Sequence, residues 1–379
     1  MRVLYRFYLL QKSMMNSLLR LLSLTLFLLL NACSPTSDNT PPAASGTSDL
    51  SENAADRAAL DHLYQSARQA GEIEAVAYIG SVPEELQPLM DAFGRRFPGI
   101  RLNLQRMMGD KLHIRIDAEF HSGRRAADLV FGGLTDLSTL TASQRLESYT
   151  PDTLGALDKQ YYGPGNYFHA PFKKGFAVAY NPTLIKKSEL PASVAELVDP
   201  KWKDRFGFPS LARFGPGDLV LALSQQHGEL SAAQLRAISN NGLHGPPTSE
   251  LIPAVAQGRL LFTVWSGAAA IVGQQVQGAN LDIAFLPKLG VHLNTGVALL
   301  KGAPHPHAAK LAKSWLFTPQ AQKILADLNF YGTMPDAPLP QGFPPLSAYL
   351  NGNQPEDARL IKLLEDFDAY KIATSGARR

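Results

Sequence analysis

A chain of 379 residues with a single cysteine cannot form an internal disulfide, so its fold must rest on an apolar core. The formal charge of +3 makes no case for nucleic acid, because Arg2, Arg6, Lys12 and Arg20 all precede residue 21 and no carboxylate occurs before Asp38. Without that leading segment the balance is −1.

Residues 21–30 (LLSLTLFLLL) are a short apolar run behind Arg20. Spanning a bilayer takes about 20 such residues, so the run reads as the core of a secretory signal. The ending Leu30-Asn31-Ala32-Cys33 resembles a bacterial lipobox. That resemblance implies a 1–32 signal peptide, cleavage before Cys33 and a lipid on its thiol, which leaves no cysteine for disulfide or nucleophile. Met14-Met15 offers an alternative translation start. Ser34 after the cysteine implies sorting to the outer membrane in a two-membrane cell. Residues 34–55 contain one large apolar residue, Leu50, and cannot bury enough surface to offset the entropy of ordering. Cys33 and this stretch, 33–55, are therefore expected to be a lipidated flexible tether, with a reach of roughly 25 Å.

The body from Asp56 onward exceeds what one core ordinarily organises, and two lobes are expected. Residues 73–80 (IEAVAYIG) read as a strand. Over 83–97, Leu86, Leu89, Met90, Phe93 and Phe97 fall on one helical stripe, with Ser81 and Glu84 as a capping box and Pro88 as a bend. Strands at 100–105 and 127–131 follow, and the strand–helix–strand order predicts a parallel sheet with crossovers. Residues 175–181, 205–209, 260–264 and 282–287 read as buried strands. Helices are predicted to begin near Pro216, Thr248 or Ser249, and Ser266, with Pro253 a further helix defect. Residues 296–301 read as a strand and 305–317 as a helix. Thr318-Pro319 then caps another helix through 328, with proline at its first position. No tandem repeat or heptad pattern is present.

A series of stretches runs through the body: Leu63-Tyr64-Gln65-Ser66-Ala67 through Tyr78, Ala92-Phe93 through Ile100, Gly109-Asp110-Lys111-Leu112, Ala118-Glu119 and Ala127-Asp128-Leu129-Val130. Tyr180-Asn181, Leu197 through Trp202, Ala303 through Ala309 and Thr318 through Gln322 complete it. In this order they resemble extracellular solute-binding proteins of ABC importers, in the ferric-ion-binding branch of family 1. The resemblance covers about residues 60–335. It implies an α/β, two-lobed fold of the type II periplasmic-binding-protein kind, with strands crossing between lobes. Lobe 1 would hold 56–173 plus about 295–379, and lobe 2 would hold 174–294. The ligand would sit in the cleft, and the loaded form would dock on a membrane permease. The chain would be exported, anchored by lipid, and monomeric.

In open α/β sheets, ligands sit beyond the carboxyl ends of strands, where helix N-termini favour anions. Ser81, Gly215, Thr248, Ser249, Ser266 and Gly267 stand at such starts, Arg213 just before one of them, and Thr295 before the strand returning to lobe 1. Each Ser or Thr is also an ordinary cap. Iron-binding family members carry a tyrosine pair just after the strand matching 260–264, because hard Fe³⁺ wants anionic oxygen donors. Here that stretch is Trp265-Ser266-Gly267-Ala268-Ala269-Ala270, and the family's early histidine near Val82 is absent. Glu119 matches an acidic ligand position. An organic or phosphorylated anion, or a chelated metal, fits this set better than bare Fe³⁺. Tyr161-Tyr162 reads as a loop packing pair, and His305 with His307 as structural. His113 and His121 flank Glu119 without a metal motif. No G-x-S-x-G, H-E-x-x-H or P-loop occurs, which argues against an enzyme. A sensory module that reports the solute to a membrane receptor is the remaining alternative.

Overall fold

The computed structural model describes residues 52–81, 83–209, 216–226 and 228–351. The expected signal, Cys33, most of the tether, Arg213 and Gly215 lie outside the described residues. The folded body starts before Asp56. Asn53 accepts a hydrogen bond from the Asp56 N–H at 2.8 Å and opens helix α1 (Ala54–Gln69). Just ahead of it, Glu52 is buried against Arg96 at 3.0 Å, and Arg96 also reaches Asp61 at 3.1 Å. A charge so placed ties down a segment that its composition alone would leave loose.

Strand β1 (Glu74–Ile79) leads through a 3₁₀ turn (Pro83–Leu86) into α2 (Gln87–Arg96), followed by β2 (Arg101–Arg106), α3 (Asp110–Ser122), β3 (Leu129–Gly132) and α4 (Leu134–Ala142). As the alternation predicts, β1 pairs in parallel with both β2 and β3. The expected capping box does not open α2, which has Leu86 at its cap and no side-chain cap bond. Pro88 consequently falls in the first helical turn, where its missing N–H costs no helical bond, so it is no defect.

Strands β4 (Leu146–Glu147), β5 (Phe168–Tyr180) and β6 (Phe206–Phe208) come next, then α5 (Pro216–Gln226), α6 (Ala232–Asn241), β7 (Leu243–His244), α7 (Thr248–Ala256), β8 (Phe262–Gly267), α8 (Ala268–Val276) and β9 (Asp282–Ala284). Pro253 lies inside α7, as expected. The chain returns through β10 (Val291–Leu300), α9 (Pro306–Trp315), α10 (Pro319–Asp327), β11 (Tyr331–Gly332) and β12 (Leu350–Asn351). Thr318 caps α10 by accepting the Ala321 N–H at 3.3 Å, as its sequence signature predicts.

The sheet runs β2-β1-β3-β10-β5-β8-β6-β7. Its two central strands are long and antiparallel. β10 pairs β3 and β4 at its end, while β5 pairs β8 and β9 at its end, so each strand crosses from one lobe to the other. One apolar core gathers Tyr64, Phe93, Phe97, Phe172 and Trp315. A second gathers Trp202, Phe206, Phe208, Phe262 and Trp265. This is the expected two-lobed α/β architecture with crossover strands. Phe343 and Tyr349 pack with Ala177 and Leu251, so the C-terminal stretch closes over the crossing rather than returning wholly to the first core.

Candidate functional site

The crossing strands form the floor of a cavity of about 1070 Å³. One wall is built from the carboxyl ends of β1, β2 and β3: Ile79, Gly80 and Ser81, then Arg106 to Gly109, then Phe131 to Gly133. The opposite wall is the start of α7 (Thr248, Ser249) and of α8 (Gly267 to Ala270), with Pro216 at the head of α5. Lys174 to Phe176 of β5 and Leu293 to Thr295 of β10 lie beneath. The placement follows from the topology: parallel strands deliver their carboxyl ends, and the helix starts that follow them, to one side.

Five of the sequence-predicted residues meet here: Ser81, Thr248, Ser249, Gly267 and Thr295. Ser266 does not. It is fully buried, its hydroxyl 3.2 Å from Thr263 Oγ1, which itself donates to the Gly207 carbonyl at 2.9 Å. The cause is local. Trp265 adopts a left-handed φ of 55°, and the β5–β8 register shifts between Ala177 and Ala179. Side chains in a strand alternate faces, and the strand end turns Ser266 into the core and Gly267 toward the cleft.

Glu119 is also placed elsewhere. Its carboxylate accepts from Tyr78 Oη at 2.5 Å, Arg115 Nε at 2.6 Å and the Ala126 N–H at 3.0 Å, and it does not line the cavity. Burial acts to raise its pKa, but the bonds from Tyr78, Ala126 and Arg115 outweigh it and hold the carboxyl below the usual range. Its lone pairs are committed to joining α3 to β1 and to the loop that precedes β3. Tyr161 and Tyr162 lie outside the cavity too. Tyr161 packs under Lys173, and Tyr162 lies edge-on to His169 with Lys159 over its ring. His305 bonds Asp128 through its ring Nδ1 at 3.1 Å and its N–H at 2.6 Å, at the entry to α9. The His307 N–H is 3.4 Å from Glu72. His121 bonds the Asp117 carbonyl within its own helix.

Sequence reasoning missed the charges of the cleft. Lys174, Arg106 and Glu85 line it, as do His113 and Asp136, which are bonded at 3.0 Å. Burial pushes the Lys174 ammonium down to about 8, with Glu85 opposing the shift. Burial raises the Glu85 carboxyl, and Lys174 and Arg106 pull it back. The hydrogen bond to Asp136 raises His113, desolvation opposes this, and Asp136, Asp117 and Asp110 add to the rise. The missed signal was the doublet Lys173-Lys174 in a strand that is otherwise apolar at its second half. Alternation sends one lysine to each face: Lys173 over the Tyr161 ring, Lys174 into the cleft. The arrangement can hold an anion between fixed cations and unpaired helix N–H groups. Among the described residues no tyrosine lines it, and no group of three or more His, Cys, Asp or Glu side chains is placed to hold a metal ion.

Residues 79–323 match the family described as bacterial extracellular solute-binding protein. The Major ferric iron-binding protein of Neisseria meningitidis serogroup A is 26% identical over 269 residues, spanning 66% of this chain and 78% of its own. Iron-bound HitA from Pseudomonas aeruginosa superposes with a TM-score of 0.62 at 19% identity, covering 78% of this chain and 99% of that one. The periplasmic binding protein AfuA from Actinobacillus pleuropneumoniae, solved with exogenous fructose-6-phosphate bound, superposes with a TM-score of 0.60 at 18% identity, covering 77% and 98%. At these identities the two structures establish the fold.

Proposed function

The chain belongs to the bacterial extracellular solute-binding proteins, and from that premise we propose that its interlobe cleft captures a small organic or phosphorylated anion, or a chelated metal such as ferric iron, for delivery to the permease of an ABC-type importer. The observation that carries the choice of ligand is the convergence of Lys174, Arg106 and the first turns of α7 and α8 on one cavity. Cations and unpaired helix N–H groups both stabilise negative charge, most strongly away from bulk water. Relatives of this fold bind iron in one case and a sugar phosphate in another, so the fold does not choose the ligand and the lining does. The cavity is also far larger than a bare ion needs. Met107, Met108, Phe131 and Phe176 on its walls suit an organic portion of the ligand.

The paired crossover strands β5 and β10 are the natural hinge, with lobes of 56–173 plus about 295–379 and of 174–294, and with the 331–351 stretch straddling them. Ligand contacts made from both walls favour the closed state by their differential affinity for it. We read the chain as exported and held to a membrane by lipid on Cys33, facing the periplasm or the cell exterior, working as a monomer and without catalysis. No described helix is long and apolar enough to cross a membrane. A sensory role would use the same cleft, and a permease and ATPase that co-purify with the chain would separate the two.

Thermal unfolding against free Fe³⁺, ferric chelates, phosphorylated sugars, phosphonates and polyamines tests the reading. A cleft ligand at 100 times its Kd stabilises by about 2.7 kcal/mol. Stabilisation by an organic or phosphorylated anion, lost in Lys174→Met, is the expected outcome. Stabilisation by free Fe³⁺ alone would retire it.

A further inference from the structure

The cleft mixes signs in one place. Arg106 is the last residue of β2 and pairs with Ile79 at the end of β1, so both sit where the parallel strands finish. Glu85 lies in the 3₁₀ turn that follows β1. Lys174 shares a strand face with Phe176, which pairs with Gly267 at the start of α8. All three charges line the same cavity. Of its other carboxylates, Asp117 bonds Arg145 at 2.8 Å and Asp136 bonds His113 at 3.0 Å, while Asp110, in the first turn of α3, is exposed, as Glu85 itself is. Glu85 makes no hydrogen bond or ion pair within 4 Å among the described residues, yet it is electrostatically coupled to both cleft cations.

A carboxylate beside an anion site is a liability unless the ligand offers it a hydrogen. Ionised Glu85 has lone pairs only and can accept but not donate. We propose that Glu85 is the specificity-determining acceptor of the cleft, which selects a tetrahedral oxyanion carrying an ionisable proton, a phosphoryl or phosphonyl group, over a sulfate of the same shape. Lys174, Arg106 and the α8 start take the unprotonated oxygens, and the remaining P–O–H donates to Glu85. A sulfate oxygen has no proton to give near neutral pH. It binds only if Glu85 itself is protonated, which costs affinity in proportion to how far the pH lies above the Glu85 pKa. Charges facing Glu85 are Lys174, Arg106 and its neighbour Glu84, and only the two cations favour the anion. The inference rests on the anion-cleft reading above and narrows it to one chemistry.

The test uses the full-length chain in detergent, with inorganic phosphate and sulfate as probes, at pH 7 and matched ionic strength. Calorimetric titrations of wild type, Glu85→Gln and Lys174→Met are compared, and melting of each unliganded variant checks its fold. Phosphate should bind wild type at least about tenfold more tightly than sulfate, the effect of one charge-assisted hydrogen bond made by one anion and not by the other. In Glu85→Gln the amide donates to either anion, sulfate binding improves, and the gap closes to about twofold or less. Lys174→Met should weaken both anions alike. Equal binding of the two anions by wild type, or a gap unchanged in Glu85→Gln, overturns the inference and leaves the anion cleft standing. Failure of both anions to bind overturns the cleft reading and the inference together. If Glu85→Gln does not fold, Glu85→Asp, with its shorter reach, should show a reduced gap by the same comparison, and an unreduced one counts against Glu85.

Discussion

Replacing Lys174 by Met removes the charge on the cleft floor while keeping most of its volume. Burial has already drawn this ammonium from its ordinary 10.5 down to about 8. An anion that fully restored it would be favoured by about 3 kcal/mol, at about 1.36 kcal/mol per pKa unit. Glu85 and cleft water screen part of that, and hydrogen bonds to charged groups are worth about 1.5–3 kcal/mol. A loss of about 2–3 kcal/mol follows, roughly 30- to 150-fold in Kd. The pH dependence supplies a second signature. The free protein releases the Lys174 proton near 8, while the anion-bound form holds it to higher pH. Binding therefore takes up a proton, and wild-type affinity falls as pH rises through about 8. The methionine variant should show no fall attributable to this group. Calorimetry with inorganic phosphate in buffers of different ionisation enthalpy reads both effects. An affinity within threefold of wild type, with the same pH profile, would refute the assignment of Lys174 to the ligand.

The remaining predictions concern the wall, the anchor of the first helix and a buried amine. Gly267 has no atom within 4 Å of the position a Cβ would take, so Gly267→Leu should leave melting of the free protein nearly unchanged, within about 0.5 kcal/mol, while filling the cleft and lowering affinity for any ligand of the cavity. Glu52→Gln strands the buried Arg96 guanidinium, whose other carboxylate, Asp61, is half exposed. Denaturant unfolding should show a loss of about 3 kcal/mol or more, since breaking one side of a buried pair leaves the other charge uncompensated. Lys313 is fully buried, donates to the Tyr149 carbonyl at 2.8 Å, and burial pushes its pKa from 10.5 to about 7. Between those values the unfolded chain binds more protons than the folded one, so stability should rise with pH across that window. Lys313→Met should flatten that rise, and an unchanged slope would show that Lys313 does not titrate there.

The local grammar of this chain was legible because it is written in short-range terms. Apolar runs bounded by turn residues marked β1, β2, β3, β6, β8 and β9, and Thr318-Pro319 fixed the start of α10 through one side-chain bond to Ala321. The helix starts that line the cleft, at Thr248 and Gly267, were visible for the same reason. The ordered family stretches then carried the two-lobed architecture. What the sequence could not decide is which face a residue would present. A left-handed Trp265 and a shifted register turn Ser266 inward and Gly267 outward, and nothing in that hexapeptide alone distinguishes the two. Glu119 matched a ligand position, yet Tyr78, brought to it by the packing of α3 on β1, and Arg115, one turn earlier on its own helix, claimed its oxygens first. Lys174 read as one of two lysines in a strand. Only the crossing of β5 and β10, set by pairings more than a hundred residues apart in sequence, put its ammonium on the floor of the cleft rather than in solvent. Side-chain identity is a property of the chain, but partnership is a property of what the fold brings beside it.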